Sequence, residues 1–236
     1  LEEFQTFSFT TPATATIHPL HGETGSLYQG AVLGLRDYLR KTRQSKILLG
    51  MSGGIDSALS AAIAVDAIGA DNVRCVMMPS EFTSRDSIED AEDCARKLGI
   101  SCDIIPVNSL VDCFMGLVPS TSGLAHENLQ ARLRGLILMT LSNQANQANQ
   151  GGAMVLTTGN KSEMACGYAT LYGDMCGGYN ALKDLYKTQV YNLAHWRNGA
   201  KPIDSLGPMG EVINTRILTK APTAELRPDQ KDQDKQ

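Results

Sequence analysis

Four short apolar runs, set apart by stretches of helical periodicity, constrain what this 236-residue chain can fold into. The runs are 46–51 (KILLGM), 73–79 (VRCVMMP), 102–107 (CDIIPV) and 153–157 (AMVLT). Each has strand length and little alternation of apolar with polar residues, as strands buried on both faces require. Helical patterns occupy the intervals. Residues 57–68 are apolar nearly all round, which predicts a buried helix. In 86–98, Ile88, Ala91, Cys94, Ala95 and Leu98 share a face, with acids early and Arg96 and Lys97 late, as the helix dipole prefers. Residues 127–141 align Leu129, Leu133, Leu136 and Ile137; residues 183–196 align Leu185, Tyr186, Val190 and Leu193, with Gly199 as a stop signal. The alternation predicts an α/β fold, a doubly wound parallel sheet flanked by helices. Ligands of such sheets sit beyond the carboxyl ends of the strands, here the loops after Met51, Pro79, Val107 and Thr157.

The ends read differently. Residues 1–26 are polar, rich in Thr and Ala, and show no sustained period, so they are expected to form an arm or linker. From 222 the chain is again polar and charged, which predicts a mobile loop or tail over 222–236 and leaves 27–221 as one domain. Residues 142–152 (SNQANQANQGG) repeat Q-A-N without a charge and read as a surface loop or frayed helix end.

Composition narrows the function classes. Lys and Arg number 21 against 25 Asp and Glu, a net charge of −4, so no basic surplus serves nucleic-acid phosphates. No apolar run reaches the ~18 residues of a membrane helix, and no signal peptide opens the chain. The cysteines at 75, 94, 102, 113, 166 and 176 form no C-x-x-C pair and have no His at ligand spacing. These features predict a cytoplasmic protein in a reducing compartment, without zinc, disulfides, nucleic acid or membrane as partners. His18, His21, His126 and His195 fall in no motif and read as structural.

The loop after the first strand carries the chemistry: Gly50-Met51-Ser52-Gly53-Gly54-Ile55-Asp56-Ser57, with a helix following at once. Adjacent glycines let the backbone bend towards a ligand, and freed N–H groups at a helix N-terminus face negative charge. Ser52 and Ser57 add hydroxyl donors. Asp56 repels a phosphate unless a cation lies between them, and Mg²⁺ takes one or two carboxylates plus phosphate oxygens. The alternative is a plain strand–helix turn in which Asp56 merely caps. No G-x-x-x-x-G-K-[ST] occurs, and no two glycines stand at i, i+2, which excludes the Walker and dinucleotide loops.

This S-G-G-x-D-S loop resembles the PP-loop of N-type ATP pyrophosphatases, which split ATP between its α- and β-phosphates and include GMP, asparagine, argininosuccinate and NAD synthetases. Residues 156–163 (LTTGNKSE), 167–175 (GYATLYGDM), 127–135 (ENLQARLRG), 182–188 (LKDLYKT) and 222–226 (PTAEL) are similar to the NAD synthetase family in particular. The resemblance covers about 28–234 in order, and implies a Rossmann-like fold of the adenine nucleotide alpha hydrolase type. It also implies a ligase of NAD biosynthesis. The nicotinate carboxylate of deamido-NAD attacks the α-phosphorus of ATP, pyrophosphate leaves, and ammonia displaces AMP from the adenylate.

By the same resemblance, Gly50, Met51, Ser52, Gly53, Gly54, Ile55, Asp56 and Ser57 hold ATP, joined by Thr158, Lys187 and Thr223. Asp56 is a Mg²⁺ ligand. Glu163 is a Mg²⁺ ligand, a deamido-NAD contact, or both. Asn128, Arg132, Tyr168, Leu171 and Asp174 contact deamido-NAD; Asp174 also holds ammonium or takes its proton, and Lys161 is a catalytic cation. Ordinary readings stand beside these: solvated lysines at 161 and 187, a surface arginine at 132, a Gly-Asp turn at 174. Two departures stand out. The Q-A-N repeat lengthens the segment before Thr158, and relatives continue with further helices beyond 222–226.

The family implies a homodimer that buries the helix around 129–137. The T-G-N-K-S-E wording is that of the glutamine-dependent branch, whose members carry a separate amidase domain with a catalytic Cys. The 45 residues before Lys46 are polar and contain no Cys, and an amidase needs a nucleophile on its own scaffold. Since the first residue is Leu1 rather than Met, the chain is expected to be the synthetase part of a larger enzyme, with 1–26 a remnant of the connection. It should use free ammonium. Two further readings are an RNA-modifying pyrophosphatase, which lacks its basic groove or cysteine pairs here, and a non-catalytic nucleotide-binding module, against which the retained Asp56 and Glu163 argue.

Overall fold

The computed structural model describes residues 22–147, 152–200, 202 and 204–227. Residues 1–21 of the expected arm, 148–151 of the Q-A-N stretch and 228–236 of the expected tail lie outside the described residues.

The strands β1 (Lys46–Gly50), β2 (Val73–Met77), β3 (Ser101–Ile104), β4 (Ala153–Thr157) and β5 (Tyr179–Asn180) form one sheet in the order β3-β2-β1-β4-β5. Every pairing is parallel, with Leu49 opposite Cys75 on one side and Leu156 on the other. The order reverses between β1 and β4. There the loops leaving two adjacent strands diverge to opposite sides and open a crevice at the carboxyl end of the sheet.

The helices are α1 (Glu23–Thr42), α2 (Ile55–Ile68), α3 (Arg85–Leu98), α4 (Asn108–Leu117), α5 (Leu124–Gln147), α6 (Lys161–Cys166), α7 (Lys187–Gly199) and α8 (Thr215–Thr219), with a 3-10 turn at Ala70–Asn72. The pleat sends Ile47, Leu49, Cys75, Met77, Met154 and Leu156 into a core shared with α1, α2, α3 and α7. Leu48, Val76 and Val155 point the other way, into a smaller core closed by α4 and α5. The runs lack alternation because both faces are covered. Helix α2 is apolar all round for the same reason: it lies against the sheet and is enclosed by α1, α3 and α7.

Several boundaries differ from the sequence expectation. Helix α1 begins at Glu23, so 23–26 are its first turn, not arm. Tyr28, Val32, Leu35 and Leu39 fall at helical spacing and are fully or nearly buried, each worth roughly 1.5–3 kcal/mol in transfer from water. The third strand stops at Ile104, since Pro106 has no N–H to continue the ladder and Val107 donates to the Pro79 carbonyl (3.0 Å). Helix α5 runs on into the Q-A-N stretch as far as Gln147, and Ser142 Oγ donates to the Ala153 carbonyl (2.6 Å). Helix α7 starts at Lys187 rather than 183. The preceding residues turn alongside α6, where Lys161 N–H donates to the Leu185 carbonyl (2.9 Å).

One buried polar knot holds the helical layer together. Asp66 of α2, fully buried, accepts from Tyr28 Oη (2.6 Å) on α1, from Arg197 Nε (2.6 Å) and Nη2 (3.0 Å) on α7, and from Ser205 Oγ (2.6 Å). Burial, and then the Asp66 charge, push the Tyr28 phenol well above its ordinary range, so it stays a donor. Arg197 also donates to the Pro208 carbonyl (2.7 Å), tying the segment after α7 to the core.

Candidate active site

The strand β1 ends at Gly50, and Met51 N–H still reaches the Val76 carbonyl (2.9 Å) before the chain turns. Gly53 makes that turn at φ +78, and a Cβ there would stand 2.2 Å from the Ser87 carbonyl oxygen of α3. Both the left-handed backbone and this approach demand glycine. Ser57 Oγ donates to the Gly54 carbonyl (3.0 Å), accepts from Ser52 N–H (3.2 Å) and lies 3.1 Å from Ser52 Oγ, fixing the loop's shape. No side chain caps α2. The leading N–H groups of a 14-residue helix thus open at the sheet's switch point, as an anion site needs.

The loop after β4 meets this one. Thr158 is half-buried directly after the strand. Asn160, completely buried, caps α6: its side chain accepts from Glu163 N–H, and its own N–H donates to Glu163 Oε2, each at 3.0 Å. Asn160 Nδ2 also donates to Asp56 Oδ1 (3.0 Å), so one asparagine holds both carboxylates. The other oxygen of Asp56 pairs with the Lys187 ammonium at the start of α7. Burial first, then the Asp56 charge, push the Glu163 carboxyl up to about 7. Burial works against the Lys187 ammonium, yet Asp56 and Glu163 keep its pKa above the ordinary lysine value.

Two neighbouring carboxylates, one of them raised by the charge of the other, beside an uncapped helix N-terminus, suit a bridging cation. Among the described residues no group of three or more His, Cys, Asp and Glu could hold a metal by itself. Mg²⁺ needs no such cage; it binds through one or two carboxylates and completes its shell with phosphate oxygens and water. Asp56 and Glu163 fit that donor set.

A second group lies on α5 and the loop 168–177. Thr170 Oγ1 donates to Asn128 Oδ1 (2.8 Å), Arg132 Nε donates to the Leu171 carbonyl (3.2 Å), and Asp174 Oδ1 accepts from Thr170 N–H (2.8 Å). The loop lies against the helix at Gly135, where a Cβ would be 2.8 Å from the Gly173 carbonyl oxygen. Four residues expected at the deamido-NAD end, Asn128, Arg132, Leu171 and Asp174, are thereby brought together, with Tyr168 and Leu171 largely exposed. Asp174 has an open residue surface, but its carboxyl is partly withdrawn from water, and that desolvation raises its pKa.

Lys161 is placed differently. Its ammonium lies over the Tyr186 ring, 4.8 Å from the centroid, and among the described residues no ion pair joins it to Asp56 or Glu163. Thr223 lies in the 220–227 segment, its Oγ1 accepting from Glu225 N–H (3.3 Å). Asn160 and Thr170, which organise the two groups, were not assigned from sequence. An Asn three residues before Glu163 at a helix start was the signal for the first. Thr170 lies inside the 167–175 motif, but its bond to Asn128 spans 42 positions and gives it no individual mark in the sequence.

Comparison with known proteins points to one family. The NAD synthase family model matches residues 27–236. The glutamine-dependent NAD(+) synthetase of Rhodobacter capsulatus is 50% identical over 221 residues, covering 90% of this chain and 38% of the relative. Among solved structures, the glutamine-dependent NAD+ synthetase of Acinetobacter baumannii in complex with ADP superposes with TM-score 0.79 at 44% identity, over 89% of this chain and 38% of that one. The NMN synthetase of Francisella tularensis superposes with TM-score 0.75 at 27% identity, over 90% and 80%. The chain thus spans under two-fifths of the glutamine-dependent relatives' length, with the Rossmann-like fold of these synthetases. By a family match that runs from residue 27 to residue 236, this chain belongs to the NAD synthase family.

Proposed function

We propose that this chain is the synthetase part of a glutamine-dependent NAD synthetase, a ligase that amidates deamido-NAD through an adenylated nicotinate and releases AMP and pyrophosphate. The observation that carries this reading is the meeting of Asp56, Glu163 and Lys187 around Asn160, beside the uncapped start of α2. The loop of residues 50–57 holds the triphosphate, with the leading N–H groups of α2 and the Ser52 and Ser57 hydroxyls as donors, and Thr158, Thr223 and Lys187 bind it from the flanks. A Mg²⁺ held by Asp56 and Glu163 would neutralise phosphate charge. Lys187, paired with Asp56 in this state, is then free to turn to phosphate oxygens. These charges let the nicotinate carboxylate approach a polyanion, so catalysis is chiefly positioning and electrostatics.

Asn128, Arg132, Glu163, Tyr168 and Leu171 orient deamido-NAD, Arg132 through a face left open beside the Leu171 carbonyl. Asp174, aimed by Thr170 N–H and raised in pKa, holds ammonium and takes its proton before attack. Lys161 is retained as a candidate cation whose ammonium must leave the Tyr186 ring to act.

The nitrogen comes from ammonia, delivered from glutamine by an amidase domain of the kind that gives these relatives their extra length. A homodimer is compatible with the exposed apolar side chains on the outer helices, Leu110, Phe114 and Leu117 of α4 and Leu136 of α5. We take the reaction to run in the cytoplasm, because it consumes ATP; separately, among the described residues no helix is long and apolar enough to cross a membrane. The test is NAD formation from ATP, Mg²⁺ and deamido-NAD, with ammonium chloride or glutamine, and with nicotinate mononucleotide as the competing acceptor. Ammonium-supported NAD is expected; faster amidation of the mononucleotide, or glutamine-supported turnover by this chain alone, would overturn the reading.

A further inference from the structure

Glu225 falls within the 222–226 motif, yet no step above uses it. Its carboxylate sits on the N-terminus of α3. Ser84 Oγ and Ser87 Oγ each donate to Oε1 at 2.8 Å, Ser84 N–H donates to Oε2 at 3.2 Å, and Lys220 Nζ stands 3.4 Å from Oε1. Lys220 also donates to Ser87 Oγ. A helix start favours an anion through its free N–H groups and dipole. The residue takes this place with φ +49, a left-handed conformation that an L-residue adopts only when its surroundings impose it.

What this carboxylate grips is the support of the phosphate loop. Ser87 faces Glu225 with its hydroxyl, and its carbonyl is the atom against which Gly53 lies so closely that no Cβ fits. On the other side, Glu225 N–H donates to Thr223 Oγ1, so fixing Glu225 fixes the Thr223 hydroxyl. The next residues reach α5: Gln130 Nε2 donates to the Leu226 carbonyl (2.9 Å), and Arg227 Nη1 is 3.7 Å from Glu127 Oε1. The segment therefore bridges α3 and α5 across the carboxyl end of the sheet.

We propose that Glu225 is a positioning residue for the ATP step, a latch whose carboxylate ties the 220–227 segment to the first turn of α3 and sets Thr223 in register with the phosphate loop. The proposal rests on the synthetase reading, and two readouts separate them: calorimetric binding of ATP with Mg²⁺, and steady-state NAD formation with ammonium. Loss of charge-assisted hydrogen bonds of this kind costs on the order of tenfold in an equilibrium constant. Glu225→Ala should therefore raise the Kd and KM for ATP about tenfold, with the KM for ammonium and the melting temperature unchanged, and Glu225→Asp should recover part of the loss. Ser87→Ala removes a latch bond from the other side while keeping the Ser84 side-chain cap of α3, and should reproduce part of the shift, covering the case of a misfolded Glu225 variant. On a Thr223→Ala background the Glu225→Ala effect on ATP should largely vanish. An unchanged ATP Kd in both latch variants overturns the proposal, as does a uniform loss of every parameter together with the melting temperature. A wild-type chain that binds ATP but forms no NAD overturns the proposed function, and the latch is then decided on binding alone.

Discussion

Asp56 has three neighbours with different demands: Lys187 neutralises it, Asn160 orients it, and Glu163 repels it. Replacing it with Asn keeps the shape and one hydrogen bond while removing the charge. Asp56→Asn is expected to retain the fold, by circular dichroism and melting temperature, and to lose at least about a hundredfold in Mg²⁺-dependent turnover. Near-wild-type activity would remove Asp56 as a cation ligand. At the other end of the crevice, Asp174→Ala should spare adenylation more than amide formation. Single-turnover assays should then release pyrophosphate without matching NAD; equal loss of both steps would end the ammonia role. The 50–57 loop could be singled out from its letters because its glycines, hydroxyls and carboxylate are contiguous in sequence. The Asn160 bridge could not, because it acts across 104 positions and becomes visible only once β1 and β4 are adjacent.

Helix α3 shows how one element serves both ends of its length. Its first turn holds Glu225 and leans on Gly53, while its last turns anchor the segment before α8. Asp93 is there, and although burial opposes its charge, Lys97, Asn214 and Arg96 hold its carboxyl below the usual range. A lowered native pKa favours the ionised form, so the stabilisation is present above the unfolded value near ~3.9 and is lost as pH falls through the native pKa. The gap in urea midpoint between wild type and Asp93→Asn should therefore be widest at neutral pH and narrow as the buffer is taken from pH 5 towards 3; a constant gap would contradict the assignment. Elements long enough to show a period, such as α2, α3 and α5, could be recognised in the sequence. Two kinds escaped. The short ones, α6, α8 and β5, offer too few residues for any period, while α1 and α4 mix their buried positions with polar letters, the first turn of α1 falling inside the expected 1–26 arm.

At the scale of the molecule, the parallel sheet follows from sequence because both-face burial leaves apolar runs, whereas the closure of the helical layer does not. That closure depends on Asp66, whose partners come from α1, α7 and residue 205. Removing Arg197 strands a buried carboxylate, which typically costs about 3–5 kcal/mol. Arg197→Met should lower denaturant stability by that order, and Asp66→Leu combined with Arg197→Met should recover a good part of it. Strict additivity of the two variants would deny their coupling. On the opposite layer, Phe114→Asp and Leu136→Asp should convert the proposed dimer to monomers in sedimentation without unfolding either; a wild-type chain that already sediments as a monomer would refute the homodimer.

The same buried carboxylate sets an order of events during synthesis. Asp66 is translated early, with β1 and β2, but Arg197 and Ser205 emerge only after the ribosome has passed residue 205. Strand β1, at the middle of the sheet, likewise waits for β4 before its second edge is covered. A nascent chain halted near the end of α5 therefore carries a buried acid that has Tyr28 but not yet its cationic partner, together with an open strand edge, and lacks two of the ties that close the final structure. The first two-thirds of this protein should emerge as a client of chaperones, released from them only when α7 arrives.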